Sequence, residues 1–488
     1  MYGSNLLNIL GSFSRKDIRE FGKYVRSPFF NSNEKVAELF DFVKDFYPDF
    51  THKKLDKEQA YMDVFRTGKY NSGLMTTTMF HLTQHAKDYL AYINYKSVPV
   101  LEQESLLREL RNRGMDKAFE KQYREAKEVL DNWGGIDAGL MKHSLSIGGI
   151  VHDYYEAKNK YSDELMMLLE KSSESLLCYF LMISEILLTG FEGRKIKFNA
   201  SPERSLLEEF FRCVDFVRFE EKLKDIDIPE ARTMMLNMLI IENLLHEDDY
   251  ELYRKFKQVL YANLHLYNRF ERNILLTVAR NLLLHHRSIT SDIYNAEYFE
   301  LLEKTLEFDT YKIYGEYMSL TIFDNILTAA LELGKTGWAE DFVKKYTEHL
   351  VPEVRENVSK YANARLEFKK GAWDRALEIT AGLNLEPITQ KLRLKVLQIQ
   401  ISYEKKDYES VLYSIDSFRH FLRYNKNISA ARRTEYVTFT RLLGRLIKHL
   451  SRSNRRDLDE LRAELNASGR IPHRNWLMEK IEGAEKQV

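Results

Sequence analysis

The stretch Lys370-Gly371-Ala372-Trp373-Asp374-Arg375-Ala376-Leu377, KGAWDRAL, decides how the last third of this chain reads. A polar turn containing a glycine carries a large aromatic straight into an apolar helix face. Set LELGKTGWAEDF (331–342), LEFKKGAWDRAL (366–377) and ISYEKKDYESVL (401–412) beneath one another without gaps. The aromatics Trp338, Trp373 and Tyr408 then fall 35 residues apart. Ala329, Ala364 and Ile399 align at the same period. So do Leu331, Leu366 and Ile401; Leu333, Phe368 and Tyr403; and Phe342, Leu377 and Leu412. Five recurring apolar columns mark one unit of helix, polar turn and helix. On this reading each aromatic wedges between the two helices of its unit. Trp373→Ala is then expected to cost about 3–5 kcal/mol, as for other buried aromatics.

The rest of the chain agrees with helix. It has 488 residues, more than one hydrophobic core usually holds, so several domains or an extended array are expected. With 44% hydrophobic and 30% charged residues it has a globular composition. Eight prolines and 21 glycines are few breakers for such a length. Apolar residues recur at spacings of three and four, and no sustained alternation demands a sheet. The fold class is all-α. The domain reading is an N-terminal helical module (1–100), a helical array (101–320), the repeats (321–425) and basic C-terminal helices (426–488).

The repeats resemble the tetratricopeptide family, built from helix–turn–helix units of about 34 residues. Gly371, Trp373 and Ala376 match the family's Gly-x-aromatic-x-x-Ala turn. The resemblance covers about 320–425 and implies an irregular α-solenoid with a long curved face. The chain departs from the family where Asn363 and Glu367 stand at its Leu and Tyr columns, and its period is one residue longer. A weaker echo lies at Leu110–Leu130. The segment KYVRSPFFNSNEKVAELFDFVKDFYPDF (23–50) is similar to parts of uncharacterised bacterial helical proteins, a resemblance that implies no activity.

The first hundred residues read as four helices. Ser14 with Asp17, Asn31 with Glu34, Asp56 with Gln59, and Ser72 are the expected starts, because a side-chain oxygen there satisfies free N–H groups. Pro28 and Pro48 end the first two helices. Phe29 and Phe30, in the turn SPFFNSNEKV, are expected to plug the module's core; the other reading is an exposed aromatic docking site. WGGIDAG (133–139), GFEGRKIKFNASPE (190–203) and KDIDIPE (224–230) read as breaks, the second as the longest irregular stretch. The most membrane-like segment, Leu176–Phe191, is short and contains Glu185, so a buried helix is expected and membrane insertion is not.

No residue pattern points to catalysis. HEDDY (246–250) lacks the second histidine of a zinc helix, and the adjacent His285 and His286 point to different helix faces. WGGIDAG lacks the Lys-Ser/Thr of a phosphate loop. Cys178 and Cys213 form neither a metal pattern nor a disulfide framework, and no basic leader opens the chain. A cytoplasmic protein without cofactor or metal is expected.

Charge is neutral overall, yet Arg419–Arg456 holds eleven cationic side chains and one anionic, Glu435. Arg441, Arg445, Lys448, Arg452 and Arg455 form one stripe of a helix, opposite Phe439, Leu442, Leu443, Leu446 and Leu450. Three readings stay open for that stripe: a solvated face, a surface for an acidic protein, or a phosphate-binding surface. The expected function is a non-enzymatic interaction scaffold or adaptor that takes a protein or peptide. Arg365, Lys369, Arg393, Gln400 and Tyr403 on the first helices would line its concave side, or else serve inter-repeat packing. The alternative function is nucleic-acid association through the basic helix; a third is an enzyme with dispersed residues.

Overall fold

The computed structural model describes residues 3–486, apart from 53–54, 68, 161, 199–204, 247, 285, 287–288, 313–314, 384, 386–387, 426, 451–454 and 469–470. Side chains at 193–198, 389, 431 and 455–457 also lie outside the description. Among the described residues there are twenty-four α-helices and no strand. The chain divides into two compact units, Met1–Ser184 with Glu221–Met234, and Glu185–Glu220 with Met235–Val488.

The first unit holds α1 (Asn5–Gly11), α2 (Arg15–Arg26), α3 (Glu34–Lys44), α4 (Lys57–Phe65) and α5 (Ser72–Ser97). It continues through α6 (Pro99–Asn112), α7 (Asp116–Asp131) and α8 (Ala138–Glu156) into α9 (Asp163–Phe198). Next come α10 (Leu206–Arg212), α11 (Phe216–Lys224), α12 (Pro229–Leu245), α13 (Tyr250–Asn263), α14 (Arg269–Leu283) and α15 (Ser291–Glu307). The second unit goes on with α16 (Leu320–Glu332), α17 (Thr336–Tyr346), α18 (Pro352–Lys369), α19 (Trp373–Ala381) and α20 (Ile388–Glu404). It closes with α21 (Tyr408–Tyr424), α22 (Ala430–Leu450), α23 (Arg455–Ala467) and α24 (Arg474–Glu485).

In α1–α5 local signals set the helix ends. The Ser14 Oγ accepts the Asp17 N–H at 3.1 Å, and the Ser14 N–H donates to Asp17 Oδ2 at 2.9 Å. That reciprocal pair starts α2 as its spacing requires. Ser27 is extended before Pro28, and α2 stops. Asp56 caps α4. Two expected caps move. Asn33, not Asn31, caps α3. Asn31 instead braces the turn, donating to Val25 O and Asn33 O. Asn71, not Ser72, caps α5 through the Leu74 N–H. The short α1, absent from the sequence reading, adds Leu6, Leu7 and Leu10 to a core built on Phe21, Phe40 and Tyr89.

Phe29 and Phe30 do not plug that core. They are 88% and 41% exposed. Phe30 instead stacks on Tyr24, with centroids 4.3 Å apart. The core is already filled by rings from α2, α3 and α5, so the turn carries its aromatics outward.

In the second unit one turn recurs. Gly334, Gly371 and Lys406 have left-handed φ of +68°, +80° and +59°. Each donates its N–H to the carbonyl three residues back, and the next residue donates to the carbonyl five residues behind itself. This closes α16, α18 and α20 by satisfying carbonyls that a helix end leaves free. In the first unit Gly114 makes the same turn between α6 and α7. Five residues after each left-handed position stands a fully buried side chain: Phe119, Ala339, Ala376 and Val411.

These turns correct the gapless alignment. The left-handed residues are 37 and then 35 apart, so the first copy is shifted by two. Trp338 is the third residue of α17, whereas Trp373 and Tyr408 open α19 and α21. Trp338 packs edge-on to Phe299 and stacks on Phe342, and Tyr408 sits edge-on to Tyr403. Trp373 is 37% exposed and does not wedge. Lysines on the turns tie neighbouring units: Lys370 pairs with Glu340, and Lys405 with Asp374, each at 2.6 Å. Such exposed pairs contribute little energy.

α9 also departs from expectation. It runs 36 residues, and its Asp163–Glu192 part is long and apolar enough to cross a membrane by length and composition. Only 33% of its most apolar window is buried, so the buried-helix reading fails for most of that surface. The expected irregular stretch is helical through Phe198; residues 199–203 lie outside the description. WGGIDAG and KDIDIPE do separate helices, α7 from α8 and α11 from α12.

Candidate functional site

α16, α18 and α20, the first helices of successive turn-linked pairs, pack on one another within the second unit. Their shared feature is a buried carboxylate. Asp324 of α16 is 5% exposed. Arg365 of α18 donates from Nη1 to Asp324 Oδ1 and from Nη2 to Thr328 Oγ1, both at 3.0 Å. Arg393 of α20 pairs with the other oxygen of Asp324. One carboxylate therefore holds two guanidinium groups from two further helices. A charge so far from water persists because Arg365 hydrogen-bonds it and both guanidinium groups neutralise it.

This node assigns the five residues expected on a concave face. Arg365 and Arg393 are committed to Asp324. Gln400 is buried, and Tyr403 is buried against Tyr408 and Trp476. Burial pushes the Tyr403 phenol well above its ordinary range. Lys369 is exposed and has no ion pair among the described residues. Arg365, Lys369 and Gln400 nevertheless line one cavity of about 210 Å³, together with Glu332, His473 and Trp476. Arg393 and Tyr403 are not part of its lining.

The sequence reading missed the wall that α24 provides. Trp476 Nε1 donates to Glu404 Oε1 at 2.7 Å, and Lys480 Nζ lies 2.8 Å from the same oxygen. The Trp476 ring stands edge-on to Tyr403, with centroids 5.3 Å apart. Leu477 and Ile481, one turn apart, enter the core shared with α20–α23. The one available signal was a tryptophan on the apolar stripe of the last helix; its partner lies 72 residues away in sequence. His473 precedes α24 in the left-handed region. Burial first, then the positive charge of Arg365, Arg393 and Lys369, pushes its imidazole down to about 3. It faces the cavity as a neutral donor–acceptor at physiological pH. No family profile, curated protein or solved structure matches this chain. The cavity therefore has to be read from its own chemistry. Cations, carboxylates, amides and an indole line this small recess.

The basic helix is partly neutralised from within. On α22, Phe439, Leu442, Leu443 and Leu446 are buried, as the stripe pattern requires. Arg441 and Arg445 both pair with Glu464 of α23, and Arg445 also lies 3.8 Å from Glu460. The hydrogen bond from Arg441, ahead of the nearby charges, holds the Glu464 carboxyl below its ordinary range. Lys448 also has a partner. Arg452 and the Arg455 side chain lie outside the described residues.

Proposed function

We propose that the chain is a non-enzymatic interaction scaffold of the cytoplasm. In it the region around α16–α21 acts as a tetratricopeptide-like helical array, and the face of α16, α18 and α20 receives a protein partner. The observation that carries this reading is the Asp324 node beside the cavity. It fixes three first helices rigidly and leaves Lys369 exposed at the edge of a recess lined by Arg365 and Gln400. Rigid helices hold recognition groups with little entropy left to lose on binding. The recurring turn supports the array reading, because the same closure repeats at Gly334, Gly371 and Lys406. Two free cysteines, Cys178 and Cys213, suit a reducing compartment.

The test compares wild type with Lys369→Glu as bait in extract of the native cell, at low and high salt. Lys369 is exposed and has no ion pair among the described residues, so the variant is expected to keep its fold. At least one protein retained by wild type is expected to be depleted tenfold or more by the variant. An identical retained set would count against this face. Nucleic acid retained equally by both baits would favour the basic helix instead.

A further inference from the structure

The cavity of the second unit holds polar groups that the fold leaves unsatisfied. Gln400 is only 2% exposed, and its side-chain amide makes no hydrogen bond among the described residues. Amides buried so deeply almost always have a partner. The His473 imidazole lines the same space, also without a hydrogen bond among the described residues. α24, twelve residues long, begins directly after His473, and no side chain caps it. His473, Asn475 and Trp476 all line the cavity, so the first N–H groups of α24 and the positive end of its dipole open on it. Lys369 adds an ammonium with no ion pair among the described residues. An amide, a neutral imidazole, an ammonium and a helix N-terminus thus offer N–H donors to one space.

We propose, resting on the assignment of this face to a protein partner, that the cavity is a carboxylate-binding site. One carboxylate of the partner, from an Asp or Glu side chain or from a chain end, is held by Lys369, Gln400, His473 and the N-terminus of α24. The charges that act on His473 are cations, Arg365, Arg393 and Lys369. Three carboxylates also belong to the lining. Glu479 pairs with Lys480. Asp292 and Glu332 come from α15 and α16 rather than from α18, α20 or α24, and neither pairs with Lys369. They limit the site to a single negative charge, since a phosphate dianion would be repelled twice as strongly as a carboxylate. The cations point the same way. Arg365, the side chain best shaped to grip a phosphate, is already held by Asp324 and Thr328. Of the two cations in the lining, only Lys369 is left to meet an anion.

The experiment uses the full chain labelled with fluorotryptophan. The Trp476 signal, assigned by its loss in Trp476→Phe, is followed by fluorine NMR at constant ionic strength. The probes are N-acetylglutamic acid α-amide for a side-chain carboxylate, N-acetylglycine for a chain end, N-acetylglutamine α-amide as the neutral isostere, and inorganic phosphate. A saturable shift is expected with at least one carboxylate, and the one that saturates at lower concentration identifies the source. Gln400→Leu and Lys369→Met should each weaken it about tenfold, as for loss of a hydrogen bond to a charged group, with helical circular dichroism unchanged. The exposed Lys369 keeps the test decisive if Gln400→Leu fails to fold. No saturable shift with either carboxylate overturns the site. So does an equal or tighter response to the neutral amide or to phosphate, and so does binding unchanged in both variants. A Lys369→Glu bait that loses its protein while no carboxylate binds removes the carboxylate site and leaves the binding face standing; carboxylate binding with identical retained sets does the reverse.

Discussion

Asp324→Ala lowers the stability of the second unit by about 3 kcal/mol. The reasoning starts from what remains after the carboxylate is gone. Arg365, with its side chain 12% exposed, keeps its bond to Thr328 and its place over the Tyr361 ring, and its charge stays in a poorly solvated place. Arg393 is 39% exposed and can turn to water. Breaking a buried pair typically costs 3–5 kcal/mol because an unmatched charge is left behind, and one escaping guanidinium puts this case at the lower end. The control separates charge from shape. Asp324→Leu combined with Arg365→Met removes both buried charges and should recover most of the loss, since apolar replacement of a whole pair is often neutral. Denaturant midpoints of the three proteins read this directly. A single variant as stable as wild type would mean that Asp324 does not tie the helices.

The second large effect concerns the tryptophans. Trp338→Ala costs about 3 kcal/mol and Trp373→Ala about 1 kcal/mol or less. Trp338 loses two ring partners at 4.9 Å and 5.5 Å and leaves a cavity against Phe299 and Phe342. Trp373 is partly solvated and makes no ring contact among the described residues. The sequence alone assigned the large cost to Trp373. Thermal unfolding of the two variants discriminates: equal losses would restore the gapless alignment and contradict the two-residue shift at Gly334.

That shift shows which features the sequence carries. Helix starts at Ser14 and Asp56 were legible because a cap is local chemistry between residues three apart or fewer. The cap of α3 was read two residues early, at Asn31 rather than Asn33, since only the path of the backbone out of α2 decides between them. The 35-residue spacing of the turns at Gly371 and Lys406 was legible from Tyr403, Phe368 and their neighbours. The register of the turn at Gly334 was not, because Trp338 offers a more conspicuous column than Gly334, while the left-handed glycine sets the turn. Exposure at Phe29 and along α9 was illegible for a different reason: composition states that a residue is apolar, not whether any surface is left to receive it. The candidate site was half visible. Arg365, Lys369 and Gln400 were chosen by their place on first helices and do meet in one cavity. Asp324, His473 and Trp476 come from helices far away in sequence and carry no local mark.

Site-specific photo-crosslinking in living cells tests the proposed binding face most directly. A benzophenone amino acid is placed at Asn475, which lines the cavity, and separately at Glu378, exposed on α19. Discrete adducts to another protein are predicted from position 475, with none of them from 378, and their loss when Lys369→Glu is added. The absence of any adduct at 475, or the same adducts from both positions, would contradict a scaffold that binds through the face of α16, α18 and α20.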